Sequence, residues 1–150
     1  GYETMRRRSE LCNFRFEDLI ESPQRGTAIK LVRSKTDQEG TSKLIPISDD
    51  LSRVIHQWQR VAEISGPILR SVDRHGNVGN CLNPGSIGLI INALWSRCEN
   101  HESAQIFSGH SFRVGAALDL LEAGASLELI MLRGGWRSSD NAMGYLRNWC

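Results

Sequence analysis

One stretch of this chain, FSGHSFRVGAALDLLEAG at residues 107 to 124, constrains the fold more than any other. Val114, Ala117, Leu118 and Leu121 recur at helical spacing, Ser108 stands where a cap belongs, and Gly124 lies just past the last apolar position, so the pattern predicts an amphipathic helix. His110 and Arg113, three positions apart, share one face of its first turn. A helix begins with unbonded backbone N–H groups and a partial positive charge, which disfavours a cation there unless an anion lies opposite. Two readings are therefore open: a first-turn pair satisfied by local hydrogen bonds, or a phosphate site.

The remaining pattern is mostly helical as well. DDLSRVIHQWQRVAEISG predicts a helix with Asp49 or Asp50 as N-cap, an apolar face of Leu51, Val54, Ile55, Trp58 and Val61, and Gly66 as its stop. Pro84 suits the first turn of a further helix through SIGLIINALWSRCEN, and SLELIMLRGGW and SSDNAMGYLRNW predict two short helices parted by Gly134 and Gly135. Near the front, Glu10, Leu11 and Phe14 mark a short helix that runs into a turn. Thr27 to Val32 and Lys43 to Ile47 predict two strands joined by a polar loop with Asp37, Glu39 and Gly40. The expected class is thus mainly α with a small antiparallel β-sheet (α+β), and 150 residues fit one domain.

Composition excludes several classes. The sequence holds no apolar run long enough for a membrane span and no signal-type segment, so a cytoplasmic protein is expected. Cysteines 12, 81, 98 and 150 are scattered, with no C-x-x-C and no histidine at ligand spacing, which points to reduced thiols and to no metal. HGNVGNCLNPGSIG lacks the G-K-[ST] ending of a phosphate-binding loop. The net charge is only +1, yet 15 of the 18 cationic residues are arginine, whose planar fork grips phosphate bidentately, and three of them form the run Arg6, Arg7, Arg8.

Read as a unit, SGHSFRVGAALDLLEAGASLELIMLRGGWRSSDNAMGYLRN resembles the catalytic C-terminal half of the tyrosine recombinases, or phage integrases. That family carries H-x-x-R at the start of a helix, then G-G-[HW], then a tyrosine nine residues on. Here these are His110 and Arg113, then Gly134, Gly135 and Trp136, then Tyr145. The family's R-x-[SG]-E-L is met by RRSEL, giving Arg7 and Glu10, and RSKT offers Lys35 on the connection between strands. The resemblance runs from Arg7 to Asn148 and implies a partial catalytic domain over residues 1–150, truncated at both ends, without the family's N-terminal DNA-clamping domain. Met5 and Arg6 stand where the family has glycine and an apolar residue, and Gly144 precedes the tyrosine, where a helical glycine costs about 1 kcal/mol.

The resemblance implies site-specific DNA recombination, by strand cleavage and religation through a 3'-phosphotyrosyl intermediate. The chemistry asks for the same residue types. Tyr145 is the expected nucleophile. Arg7 and Arg113 would grip the non-bridging oxygens, with the indole N–H of Trp136 as a third donor. His110 can donate to the phosphate or accept the phenol's proton, Glu10 would orient a partner, and Lys35 would protonate the departing 5' oxygen. Arg6, Arg8, Arg33, Ser108, Ser111, Arg133 and Arg137 are expected against DNA. The implied partners are double-stranded DNA and further copies of the protein, a tetramer on DNA at full length. No cofactor, metal or membrane is implied, and the source is a bacterium or a phage. The helix, A-G turn, helix cadence of LDLLEAGASLELIMLRGGW keeps a second class open, a non-catalytic DNA-binding remnant or helix-turn-helix regulator.

Overall fold

Isoleucine and phenylalanine at alternating or helical spacing gather the first part of the chain, and alanines with one tryptophan gather the last part. A computed structural model describes residues 1–32, 42–98 and 107–147. The chain divides into two compact units, Ser9–Pro84 and a second made of Gly1–Arg8 with Gly85–Cys150.

Helix α1 (Arg8–Asn13), which lies in the unit Ser9–Pro84 from its second residue on, leads through a 3-10 turn (Phe16–Asp18) into strands β1 (Leu19–Ser22), β2 (Gly26–Leu31) and β3 (Lys43–Pro46), followed by helix α2 (Asp49–Ala62). The sheet is antiparallel in the order β1-β2-β3, with Leu19 opposite Ile29 and Ile29 opposite Ile45. Along β2 the buried positions are Thr27, Ile29 and Leu31, the period of two that turns one face inward. Those side chains pack with Phe14, Phe16, Ile45, Ile47, Ile55 and Ile68. The expected pair of strands is therefore three. β1 escapes the periodicity because its burial does not alternate, and its place is set by pairing with β2. Helix α2 is capped by Ser48, whose hydroxyl accepts from the Leu51 N–H at 3.2 Å, rather than by Asp49 or Asp50. Those two carboxylates occupy the first turn, where the helix dipole favours them. The helix stops at Glu63, in the left-handed region at φ +50°, before the expected Gly66.

The second unit holds helices α3 (Ser86–Trp95), α4 (Ser111–Glu122), α5 (Leu127–Gly134) and α6 (Ser139–Arg147). Its core is Met5, Ala116, Ala117, Ile130, Trp136, Ala142 and Leu146. Small alanines let the helices approach closely around one large indole. Gly124 at φ +78° turns α4 into the short link to α5, whose N-cap Ser126 accepts from the Leu129 N–H at 3.3 Å. At the other end Gly135 takes φ +69° and returns its N–H to the Met131 carbonyl at 2.8 Å. Among the described residues no helix is long and apolar enough to cross a membrane.

Candidate active site

Helix α4 starts at Ser111, so His110 is its N-cap, and the capping role expected of Ser108 shifts to the turn before it. The Ser108 hydroxyl accepts from the His110 N–H at 3.2 Å, and the Ser111 hydroxyl accepts from the Ser108 N–H at 2.9 Å. The segment ahead of this turn is held from α3: Asn92 donates through Nδ2 to the Phe107 carbonyl and accepts at Oδ1 from the Phe107 N–H, each at 2.8 Å. Trp95 adds an edge-on ring contact with Phe107 at 5.0 Å. His110 therefore sits on a backbone fixed from both sides.

Within the first turn of α4, Arg113 is buried, with 3% of its surface exposed. A buried guanidinium demands acceptors. Its Nη2 donates to the Gly134 carbonyl at 2.6 Å, and its Cζ lies 4.3 Å from the centre of the Trp136 ring, a cation-π contact. The glycine pair before the tryptophan is thus more than a turn. A Cβ at Gly134 would overlap the Trp136 ring, and one at Gly135 would meet Arg6 as well as being strained at that positive φ.

Tyr145, on α6, completes the cluster. Its ring centre is 6.1 Å from that of His110 and 6.1 Å from that of Trp136, and the side chain is 39% exposed while Trp136 is 8% exposed. Four residues spread over 36 positions thus meet: a reachable phenol, an imidazole, an indole N–H and a guanidinium. Trp136 Nε1 and His110 Nδ1 are buried with no hydrogen-bond partner among the described residues. An indole N–H can only donate, so an incoming oxyanion is the partner its chemistry asks for.

Electrostatics sharpen the site. Burial holds the His110 imidazole below its usual pKa, and the Arg113, Arg8 and Arg7 guanidiniums push it further in the same direction. The neutral ring can accept a proton at physiological pH, and an anion that offsets those three cations would make it a better base. Gly109 leaves room for Arg8: a Cβ there would overlap the Arg8 side chain. Arg7 and Arg8 are half-buried. Arg6 differs from the other expected DNA contacts, because it is 4% exposed and donates to the carbonyls of Thr4, at 3.0 Å, and of Arg133.

Arg133 and Arg137 are exposed at and beyond the end of α5. Glu10 is buried in α1, in the unit Ser9–Pro84. Lys35 and Arg33 lie outside the described residues. The other early tyrosine, Tyr2, donates its hydroxyl to Asp119 on α4, a hydrogen bond that raises the phenol's pKa and makes it a poorer nucleophile. Sequence reasoning missed the work of Gly109, Gly134, Gly135 and Asn92. For the two glycines before Trp136 a signal was available, since a pair directly ahead of a large aromatic allows close backbone approach.

The sequence profile described as the phage integrase family matches residues 1–149. The chain belongs to the phage integrase family. Recombinase Cre of Escherichia phage P1 is 25% identical over 163 residues, covering 99% of this chain and 47% of that protein. An integrase/recombinase XerD homolog of Selenomonas ruminantium is 34% identical over 125 residues, covering 78% of this chain and 36% of that protein. Among solved structures the XerA recombinase superposes with a TM-score of 0.72 at 16% identity, over 97% of this chain and 49% of that one. The Tn1549 transposon integrase in complex with transposon right end DNA superposes with a TM-score of 0.67 at 15% identity, over 96% of this chain and 51% of that one. This phage integrase family chain spans about half or less of the length of these relatives. The mainly α class with a small antiparallel sheet is the class of these neighbours. A helix-turn-helix regulator is not favoured, because the family match runs through both units and the Tyr145 helix as well as through α4 and α5.

Proposed function

We propose that this chain is the catalytic portion of a tyrosine recombinase, which breaks and rejoins double-stranded DNA through a covalent 3'-phosphotyrosyl intermediate. The observation that carries it is the exposed Tyr145 ring at 6.1 Å from both His110 and Trp136, with Arg113 stacked on the same indole. Tyr145 attacks phosphorus and displaces the 5' oxygen, so the energy of the phosphodiester is kept in the phosphotyrosyl bond and religation needs no nucleotide cofactor. Arg113 and Arg7 hold the non-bridging oxygens, and the Trp136 N–H supplies a further donor in a water-poor setting where fixed dipoles act strongly. His110, kept neutral by its surroundings, accepts the phenol's proton or donates to the phosphate once charged. Glu10 serves as a positioning residue, and Lys35 donates the proton to the departing oxygen.

In this reading Arg8, Arg33, Ser108, Ser111, Arg133 and Arg137 contact the DNA, and Arg6 belongs to the frame behind them. Both units together form one catalytic domain. Exchange between two duplexes breaks four strands, which calls for four copies of the full-length protein on the DNA, in the cytoplasm of a bacterium. With a net charge of +1, this chain alone should bind DNA weakly, with little sequence preference and a steep loss of affinity with salt.

The test uses nicked duplexes tiled across the genomic sequence that flanks the coding region. One of them should give a denaturant-resistant protein–DNA adduct with the wild type and none with Tyr145→Phe, which still binds. Tight, site-specific binding without any adduct would point instead to a DNA-binding regulator.

A further inference from the structure

Arg6 is a charged residue in an almost fully buried position, 4% exposed, where a guanidinium persists only if its donors are met. Its Nε donates to the Thr4 carbonyl at 3.0 Å and its Nη2 to the Arg133 carbonyl near the end of α5. Its Nη1 lies 2.6 Å from where a Cβ on Gly135 would be, so only glycine, at φ +69°, leaves room for it. The very next carbonyl of α5, that of Gly134, accepts from Arg113. Two consecutive carbonyls at the negative end of α5 are therefore held by two buried guanidiniums. The chain then passes through Gly135 directly to Trp136. Met5, beside Arg6, is 1% exposed in the same core as Trp136.

We infer that Arg6 is a positioning residue. It ties the segment that delivers Arg7 to the C-terminal carbonyls of α5, and so fixes the Trp136 indole and the Arg113 guanidinium in the places the reaction needs. The inference rests on the recombinase reading for its consequence in cleavage, but its geometric content stands apart from that reading. The fork is essential, because one ammonium cannot span the Thr4 and Arg133 carbonyls with fixed, diverging donors. An apolar residue of similar length keeps most of the packing but leaves the Thr4 and Arg133 carbonyls without this donor, so it should lower stability. It does not hold the two backbone segments in register.

The experiment compares wild type, Arg6→Met and Arg6→Lys in two measurements. In ¹H–¹⁵N spectra of the 150-residue chain, the Trp136 indole resonance, assigned by its loss in Trp136→Phe, should move in both Arg6 variants. The Trp58 indole, which donates to the Ile68 carbonyl in the other unit, should stay where it is. In single-turnover adduct formation on a nicked duplex that gives an adduct with the wild type, Arg6→Met should slow cleavage by about 10²-fold, the scale of a misplacement of about 1 Å. In a Trp136→Phe background the same substitution should add little further loss, because residues acting as a unit are not additive. Arg6→Lys keeps the buried charge and supplies both readouts if methionine unfolds the chain.

An unmoved Trp136 indole in both variants would overturn the assignment whatever the DNA result. So would wild-type cleavage by Arg6→Met, or losses that simply multiply with those of Trp136→Phe. Moved indoles with no wild-type adduct on any duplex would instead sink the recombinase reading and leave the positioning contact standing.

Discussion

Trp136→Phe separates what the indole does for the fold from what it does for the reaction. Trp136 is 8% exposed and packs with Met5, Ile130 and Leu146, so truncation to alanine should cost about 3–5 kcal/mol, as for other buried aromatics. Loss of the Arg113 stack at 4.3 Å adds about 0.5–2 kcal/mol. Phenylalanine keeps an aromatic face over Arg113 and most of the packing. The smaller ring costs about 1–2 kcal/mol. Against that, it no longer buries an N–H that finds no acceptor among the described residues, which relieves about 1–3 kcal/mol. The two nearly cancel, and the thermal midpoint should move by no more than about 2–4 °C, the equivalent of about 1 kcal/mol in a chain of this size. Cleavage should behave differently, because removal of one well-aimed transition-state donor costs about 10²–10³ in rate. The assay is thermal denaturation of the variant beside single-turnover adduct formation on a nicked duplex, with DNA affinity measured in parallel. Trp136→His, which returns an N–H donor, should recover part of the lost rate. Wild-type cleavage by the phenylalanine variant would show that the indole N–H is a packing feature without a part in the chemistry.

Two further outcomes follow from the same geometry and from the resemblance. His110 has a folded pKa below its unfolded value, so the unfolded chain binds the extra proton first: stability should be highest at and above the ordinary imidazole pKa and fall as pH drops below it, and His110→Gln should flatten that slope in denaturation curves taken across the range. Lys35→Ala should cleave ordinary DNA very slowly yet recover on a substrate whose 5' bridging oxygen is replaced by sulfur, since a thiolate leaves without protonation; failure of sulfur to rescue would assign the lysine to binding.

Much of the candidate site was legible in the sequence alone. The order His110, Arg113, Trp136, Tyr145 at family spacing marked residues that the structure brings to one place, and the 3.6-residue periodicity located α2 and α4, although Val54 and Val61 of the expected α2 face and Leu121 of α4 are exposed. What escaped depends on tertiary contact. β1 has a burial pattern with no alternation to read, and it exists only by pairing with β2. Three adjacent arginines look alike in sequence, yet Arg6 turns into the core toward two carbonyls while Arg7 and Arg8 remain half-buried near His110. A left-handed backbone at Met5, φ +49°, precedes Arg6, and the Arg133 carbonyl of α5 receives its guanidinium. Gly109 reads as loop punctuation until its missing Cβ is seen to admit Arg8.

The most direct test is to isolate the protein–DNA adduct, digest both components and locate the nucleotide-bearing peptide by mass spectrometry. The expected result is a single 3'-linked nucleotide on Tyr145 and an unmodified Tyr2, whose hydroxyl is bonded to Asp119. A nucleotide on Tyr2, on a serine or on any other side chain, or an adduct that survives Tyr145→Phe, would contradict the assignment of Tyr145 as the nucleophile.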